Sequence, residues 1–348
     1  MINRRTAVFA AGIALLAVAA TACNRSSSPS SGSSGGTAAG KVGIDLPRSD
    51  SDFWNSYAKY VNSDVTSMGI SALTPTDSAN DITKLAANVQ SLVAQGAKAI
   101  VMAPQDTAAV APTLSMLAGK NIPAVSVDTR PDTGKVFMVV RADNRAYGTK
   151  ACEFLGQKLN NKGTVVEFEG DLASINGRDR SEAFGACMQQ KFPGVKVVAA
   201  ETNWKGDVAS AKLQNALNQG AVNGIYMQAG GVFLAPTIAL LQQKNLLVPP
   251  TDPKHVFIVS NDGIPAEFAA IKAGQIDATV SQPADLYAKY ALFYAQQALA
   301  GKTFQAGPTD HNSTIVTIPN GLEDQLPAPL VTGDNVNDQS LWGNQVGK

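Results

Sequence analysis

From Lys41 onward, short apolar runs alternate with longer stretches in which apolar residues recur at helical spacing. Residues 41–46, 70–74, 99–102 and 124–127 read as strands, and 53–68, 80–95 and 107–118 as the helices between them. In 80–95, Leu85, Val89, Leu92 and Val93 fall on one helical face, and Gly96 follows as a glycine commonly does at a helix C-terminus. The strands lack polar alternation, which predicts a parallel sheet covered on both faces. The rhythm restarts after 136–141, with strands expected at 164–168, 195–200, 224–227, 256–259 and 278–281. A weak internal echo accompanies it: Gln95-Gly96-Ala97 leads into Ile100-Val101-Met102, and Gln219-Gly220-Ala221 into Ile225-Tyr226-Met227. The predicted class is α/β with two doubly wound parallel-sheet lobes.

In open α/β sheets ligands bind beyond the carboxyl ends of the strands. Those positions are rich in Asp, Asn, Gln, Arg and Trp: Ser51, Phe53 and Trp54 after the first strand, Asp128 and Thr129 after the fourth, then Asn176 and Arg178, Trp204, Gln228, Asn261-Asp262 and Gln282. Carboxylates and amides exchange hydrogen bonds with hydroxyls, and aromatic faces cover the C–H faces of a sugar ring. Each choice has a plainer alternative. Asp128 and Asp262 could cap the helices that follow, Phe53 and Trp54 could be core, and Arg180 competes with Arg178 for the cleft. Asn176, Asn203, Asn261 and Gln228 are weaker candidates.

Charge narrows the partners little. Taking Arg4 and Arg5 from the 28 basic residues leaves 26 against 28 acidic ones, with no basic patch for nucleic acid. Two histidines, His255 and His311, leave little for a His-based metal site or triad; no metal or cofactor is expected. No Gly-x-Ser-x-Gly elbow or phosphate loop occurs, so no enzyme activity is expected, a secreted glycosidase being the remote rival.

The start of the chain decides the compartment. Arg4 and Arg5 precede a short apolar run over 7–20, too brief to span a bilayer and fit for a secretory signal. Ala20-Thr21-Ala22-Cys23 resembles the bacterial lipobox, with Ala20 where Leu is usual; this implies a lipidated Cys23 as mature N-terminus. The Ser/Gly-rich stretch that follows reads as a tether. Cys152 and Cys187 then remain, on predicted helices in an oxidising compartment. We expect a disulfide between them, with two separate buried thiols as the alternative.

The order of motifs resembles the type I periplasmic binding proteins, the ribose- and galactose-binding group that serves ABC transporters, over residues 41–318. The family's polar-polar-x-Phe-Phe turn matches Asp50-Ser51-Asp52-Phe53-Trp54. Its strand-ending Asp matches Asp128, and its Asp-Asn lobe crossing matches Asp143-Asn144. The Arg-x-Arg-x-x-x-Phe helix matches Arg178 through Phe184, followed by Trp204, Asp262-Gly263 and Gln282. Thr129 stands where sugar binders commonly have Arg, and Ala229-Gly230 where they have Asn-Asp, which turns the expectation toward a linear polyol or a sugar in another pose. The resemblance implies lobes joined by three crossover strands and closing on a sugar or sugar alcohol, with ABC membrane subunits as partners; the protein is expected to be a monomer on a lipid anchor. A sensing receptor would have the same fold. The expected segments are a signal over 1–22, a tether over 23–40, a first lobe from 41–141 plus 283–308, and a second from 142–282 plus 309–348, with the tail from 319 as loop.

Overall fold

The computed structural model describes residues 40–346; the expected signal, Cys23 and all but the last residue of the tether lie outside the described residues. The chain begins with β1 (Lys41–Leu46), α1 (Asp52–Ser67), β2 (Thr76–Asp77), α2 (Ile82–Ala94), β3 (Ala97–Met102), α3 (Ala111–Gly119), β4 (Ala124–Val127) and β5 (Met138–Ala142). It continues through α4 (Asn144–Lys158), β6 (Gly163–Glu169), α5 (Ile175–Lys191), β7 (Val195–Glu201), α6 (Gly206–Gln219), β8 (Gly224–Met227), α7 (Gly230–Gln243), β9 (Phe257–Asp262), α8 (Pro265–Lys272) and β10 (Ala278–Ser281). Then follow α9 (Ala284–Leu299), β11 (Gly307–Pro308), β12 (Thr314–Ile318), β13 (Gly321–Leu326), β14 (Leu330–Thr332) and a 3-10 turn over Trp342–Asn344.

Two sheets result. The first runs β11-β12-β13-β5-β4-β3-β1-β2, antiparallel only in its β11-β12 and β12-β13 pairs; the second runs β14-β10-β9-β8-β6-β7, antiparallel only at β14. Unbroken apolarity in the strands follows from helices on both faces. In β3, Ala99 and Val101 pack under α1 and α9, while Ile100 and Met102 pack under α2 and α3. In β8, Tyr226 faces α4 and α5, while Ile225 and Met227 face the opposite cluster with α6, α7 and α8. Adjacent strand residues point to opposite faces, so both must be apolar when both faces are covered. Among the described residues the chain passes between the sheets at Ala142–Asn144, at Gln282–Ala284 and at Leu326–Leu330, giving the expected three crossings. Asp143 caps α4 at the first of them, accepting from the amides of Arg145 and Ala146 at 3.0 and 3.1 Å.

Three expectations need correction. Residues 70–74 form no strand beyond a lone Val42–Ala72 bridge, and β2 lies further on; Pro75, lacking an N–H, interrupts this edge. Residues 314–326, assigned above to the second lobe, form β12 and β13 in the first sheet. The tail from 319 is not all loop, since it supplies β13 and β14. β13 escaped notice because Glu323 and Asp324 are buried in it, with Tyr294, His311 and Ser313 bonded to Asp324 and Arg141 close to Glu323.

Cys152 on α4 and Cys187 on α5 form a disulfide, their Cα atoms 6.1 Å apart and separated by 35 residues in sequence. Closing a loop of that length in the unfolded chain stabilises the fold by about 3–4 kcal/mol. The double variant Cys152→Ala/Cys187→Ala should therefore unfold several degrees lower in a calorimetric scan. An unchanged midpoint would show that the bridge adds nothing to the packing of α4 on α5.

Candidate functional site

The carboxyl ends of both sheets face one narrow cleft, about 420 Å³ of space when its open mouth is included. The first sheet's loops contribute Arg48, Ser51, Phe53, Trp54, Gln105 and Asp128; the second contributes Asn176, Arg180, Trp204 and Asp262, and Gln282 lies at a crossing. Most positions read from the sequence thus meet here.

Arg180 is the buried hub. Its Nε donates to Asn144 Oδ1 at 2.6 Å, one terminal nitrogen to the Gln228 carbonyl and the other to Gln282 Oε1 at 2.9 Å. The guanidinium also lies 5.1 Å from the Tyr147 ring centre and 5.8 Å from that of Trp204. One turn earlier, Asn176 joins the lobes: its amide donates to Asp128 Oδ2 at 2.7 Å and its oxygen accepts from Arg141 at 2.9 Å. Asp262 accepts from the Gly231 amide at 2.7 Å and from Gln282 Nε2 at 3.0 Å. A Cβ at Gly231 would lie 2.7 Å from Ser51 Oγ, so the start of α7 has no side chain there and the lobes approach closely. Phe53 meets Trp54 and Tyr287 edge to face, at 5.2 and 6.2 Å between ring centres.

Two buried polar atoms of lining residues have no protein partner, Asp128 Oδ1 and Trp204 Nε1. One is an acceptor and the other a donor. Six other buried atoms among the described residues share this property, and these two are the ones that belong to lining residues. The backbone is strained at both residues and at Asp262: φ is +62° at Asp128, +55° at Trp204 and +116° at Asp262. Each such conformation costs about 1–3 kcal/mol and persists only where surrounding contacts impose it.

Burial raises the acids here. Asp128 is pushed up to about 6, with the charges of Arg180 and Arg141 and the Asn176 bond opposing the rise. Asp262 is also raised by burial, against the Gly231 amide and Arg180. Glu267, behind it, is raised by burial and then by the charge of Asp262. Among the described residues no group of three His, Cys, Asp or Glu side chains could hold a metal ion.

Two expected site residues lie elsewhere. Arg178 does not line the cleft; it binds Asp132 at 2.6 Å, Thr107 and the carbonyls of Leu172 and Ala173. Helix geometry explains this: Asn176 and Arg180 are four residues apart on one face, and Arg178 points away from it. Thr129 is buried, its hydroxyl turned to the Val127 carbonyl at 3.4 Å. Gln228 and Asn261 lie behind the lining, and Asn203 is exposed. Arg48 and Gln105 stand just past β1 and β3, in the strand-end stretches the sequence points to, but nothing in the sequence singles them out; the i, i+4 pair with Asn176 could have identified Arg180.

The sequence matches the periplasmic binding protein domain over residues 42–303. It is 27% identical over 232 residues to the xylitol-binding protein of Mycolicibacterium smegmatis, covering 66% of this chain and 64%, just under two thirds, of that one. It is 24% identical over 266 residues to a ribose import binding protein of Bacillus subtilis, covering 76% and 83%. A solved ABC-transporter solute-binding protein from Mycobacterium smegmatis with bound glycerol superposes with a TM-score of 0.73 at 24% identity, covering 86% of this chain and 96% of that one. The Caulobacter myo-inositol binding protein gives 0.72 at 21%, covering 86% and 95%. With its two α/β lobes and a domain match over most of its length, the chain belongs to the periplasmic binding protein family.

Proposed function

We propose that this protein is an extracytoplasmic receptor that captures a neutral polyhydroxylated molecule, a monosaccharide or sugar alcohol, and delivers it to an ABC importer. The observation that carries the reading is the pair of unpartnered buried atoms, Asp128 Oδ1 from one lobe and Trp204 Nε1 from the other. A hydroxyl both donates and accepts, so a polyol can satisfy both while bridging the lobes. The xylitol and ribose relatives support the same ligand class. Within this reading Ser51, Asp128, Asn176, Arg180, Asp262 and Gln282 bond hydroxyls, and Phe53, Trp54 and Trp204 cover C–H faces. The three crossings form the hinge, and the ligand favours the closed state by its differential affinity.

A thermal-shift screen of the full-length protein against pentoses, hexoses, pentitols, inositols and amino acids tests this. At a hundred times Kd one sugar or polyol should add about 2.7 kcal/mol, a shift of several degrees. The shift should vanish in Asp128→Ala. A response confined to amino acids would overturn the assignment.

Asp128 also links function to pH. Its pKa in the folded chain, about 6, lies above the ordinary 3.8, so the native state binds the proton more tightly than the unfolded one. Its contribution to stability is full below pH 4, declines as pH rises to about 6, and is flat above. Asp128→Asn should flatten that decline and stabilise the ligand-free protein at pH 7 by about 1–3 kcal/mol, while weakening ligand binding. Denaturant melts from pH 4 to 8 measure both; a variant less stable at pH 7 would contradict the account.

The anchor belongs to the same proposal. Cys23 is the lipidation site and residues 23–40 the tether. Cys23→Ser should move the protein from the membrane to the soluble fraction of a bacterial host; unchanged partition would remove lipidation from the picture.

A further inference from the structure

We propose that Trp342, in the C-terminal tail, is a positioning residue of the ligand site: it fixes the strained Asp262-Gly263 turn and the Phe53 ring from behind the cleft. This rests on the cleft being the ligand site, and one arm of the test below needs no ligand.

The tail bridges the lobes without a covalent crossing. Val336 and Leu341 belong to the second lobe's core, whereas the next residue, Trp342, is buried in the first lobe's core. The indole N–H donates to the Asp262 carbonyl at 3.2 Å. Its ring meets Phe53 edge to face, 5.9 Å between centres, and its own carbonyl accepts from the Tyr60 hydroxyl at 3.5 Å. One side chain therefore touches two lining residues, one from each lobe, and lines the cleft itself at neither point.

The Asp262 end is where support is required. Its backbone φ of +116° is one that side-chain-bearing residues rarely adopt, and Gly263 follows at +77°. The Asp262 carbonyl takes two donors, Trp342 Nε1–H and the Gln282 amide at 2.9 Å. Gly343 closes over the turn; a Cβ there would lie 2.2 Å from the Gly263 carbonyl. A strained turn held by so many contacts keeps its carboxylate on the Gly231 amide. Release of the carbonyl lets the turn relax and swings that carboxylate away from the position it holds in the cleft.

Trp342→Phe removes the donor and retains a ring against Phe53; Trp342→Ala removes both. Full-length wild type and variants are compared by peptide-resolved hydrogen exchange without ligand, and by titration with xylitol and D-ribose. In Trp342→Phe, exchange over 229–233 and 259–264 should accelerate about fivefold or more. The Kd for whichever probe binds should rise about 3–10-fold, with a larger rise in Trp342→Ala. Acceleration confined to the tail, in Trp342→Phe alone or in both variants, overturns the proposal whatever the ligand is. An unchanged Kd beside accelerated exchange overturns it too. If wild type binds neither probe, the choice of ligand fails and the exchange result still decides the role of Trp342.

Discussion

The cleft depends on one buried cation. Arg180 bonds Asn144 at the first crossing, Gln282 at the second and the Gln228 carbonyl at the end of β8. Its charge is also among the main influences that hold down Asp128 and Asp262 against the burial that raises them. Two crossings, the cleft floor and the two lining acids therefore share a single guanidinium. Lysine could not replace it, because three acceptors in three directions need a planar fork with donors on every nitrogen. Losing it would leave buried carboxylates with less compensation, a far larger penalty than losing a surface ion pair.

The sequence made the architecture legible wherever burial was apolar on both faces. β3 and β8 were read correctly because a strand covered on both sides has nowhere to put a polar residue, and Asp143-Asn144 marked a crossing. β13 was missed for the converse reason. Glu323 and Asp324 are buried inside a sheet; Tyr294, Ser313 and His311 bond Asp324, and Arg141 lies 3.8 Å from Glu323, so their partners spread from residue 141 to 313. No local pattern encodes such satisfaction, because it depends on contacts distant in sequence.

The candidate site divides along the same line. Asp128, Asp262 and Gln282 line the cleft as expected because strand ends are fixed by the sheet. On α5 a one-residue choice depended on helical phase: Asn176 and Arg180 share the cleft face, and Arg178 leaves it for Asp132 on the other lobe. Trp342 was invisible to this reasoning. It lies in a tail without periodicity, and its importance comes from the carbonyl it meets.

On the proposed function, selectivity follows from how little of the cleft is left unsatisfied. Arg180, Asn176, Asp262 and Gln282 are already bonded to protein groups. Recognition then turns on hydroxyl geometry more than on net charge. A ligand lacking one hydroxyl would leave Asp128 Oδ1 or Trp204 Nε1 buried and unpaired, and that penalty discriminates more sharply than a lost apolar contact. The discrimination requires both atoms to stay where they are. Backbone strain at Asp128 and Trp204 therefore has a physical use. A residue that adopts its position only under constraint can be held at one angle, and the packing that enforces that angle also limits how far the site can adapt to a poorer ligand.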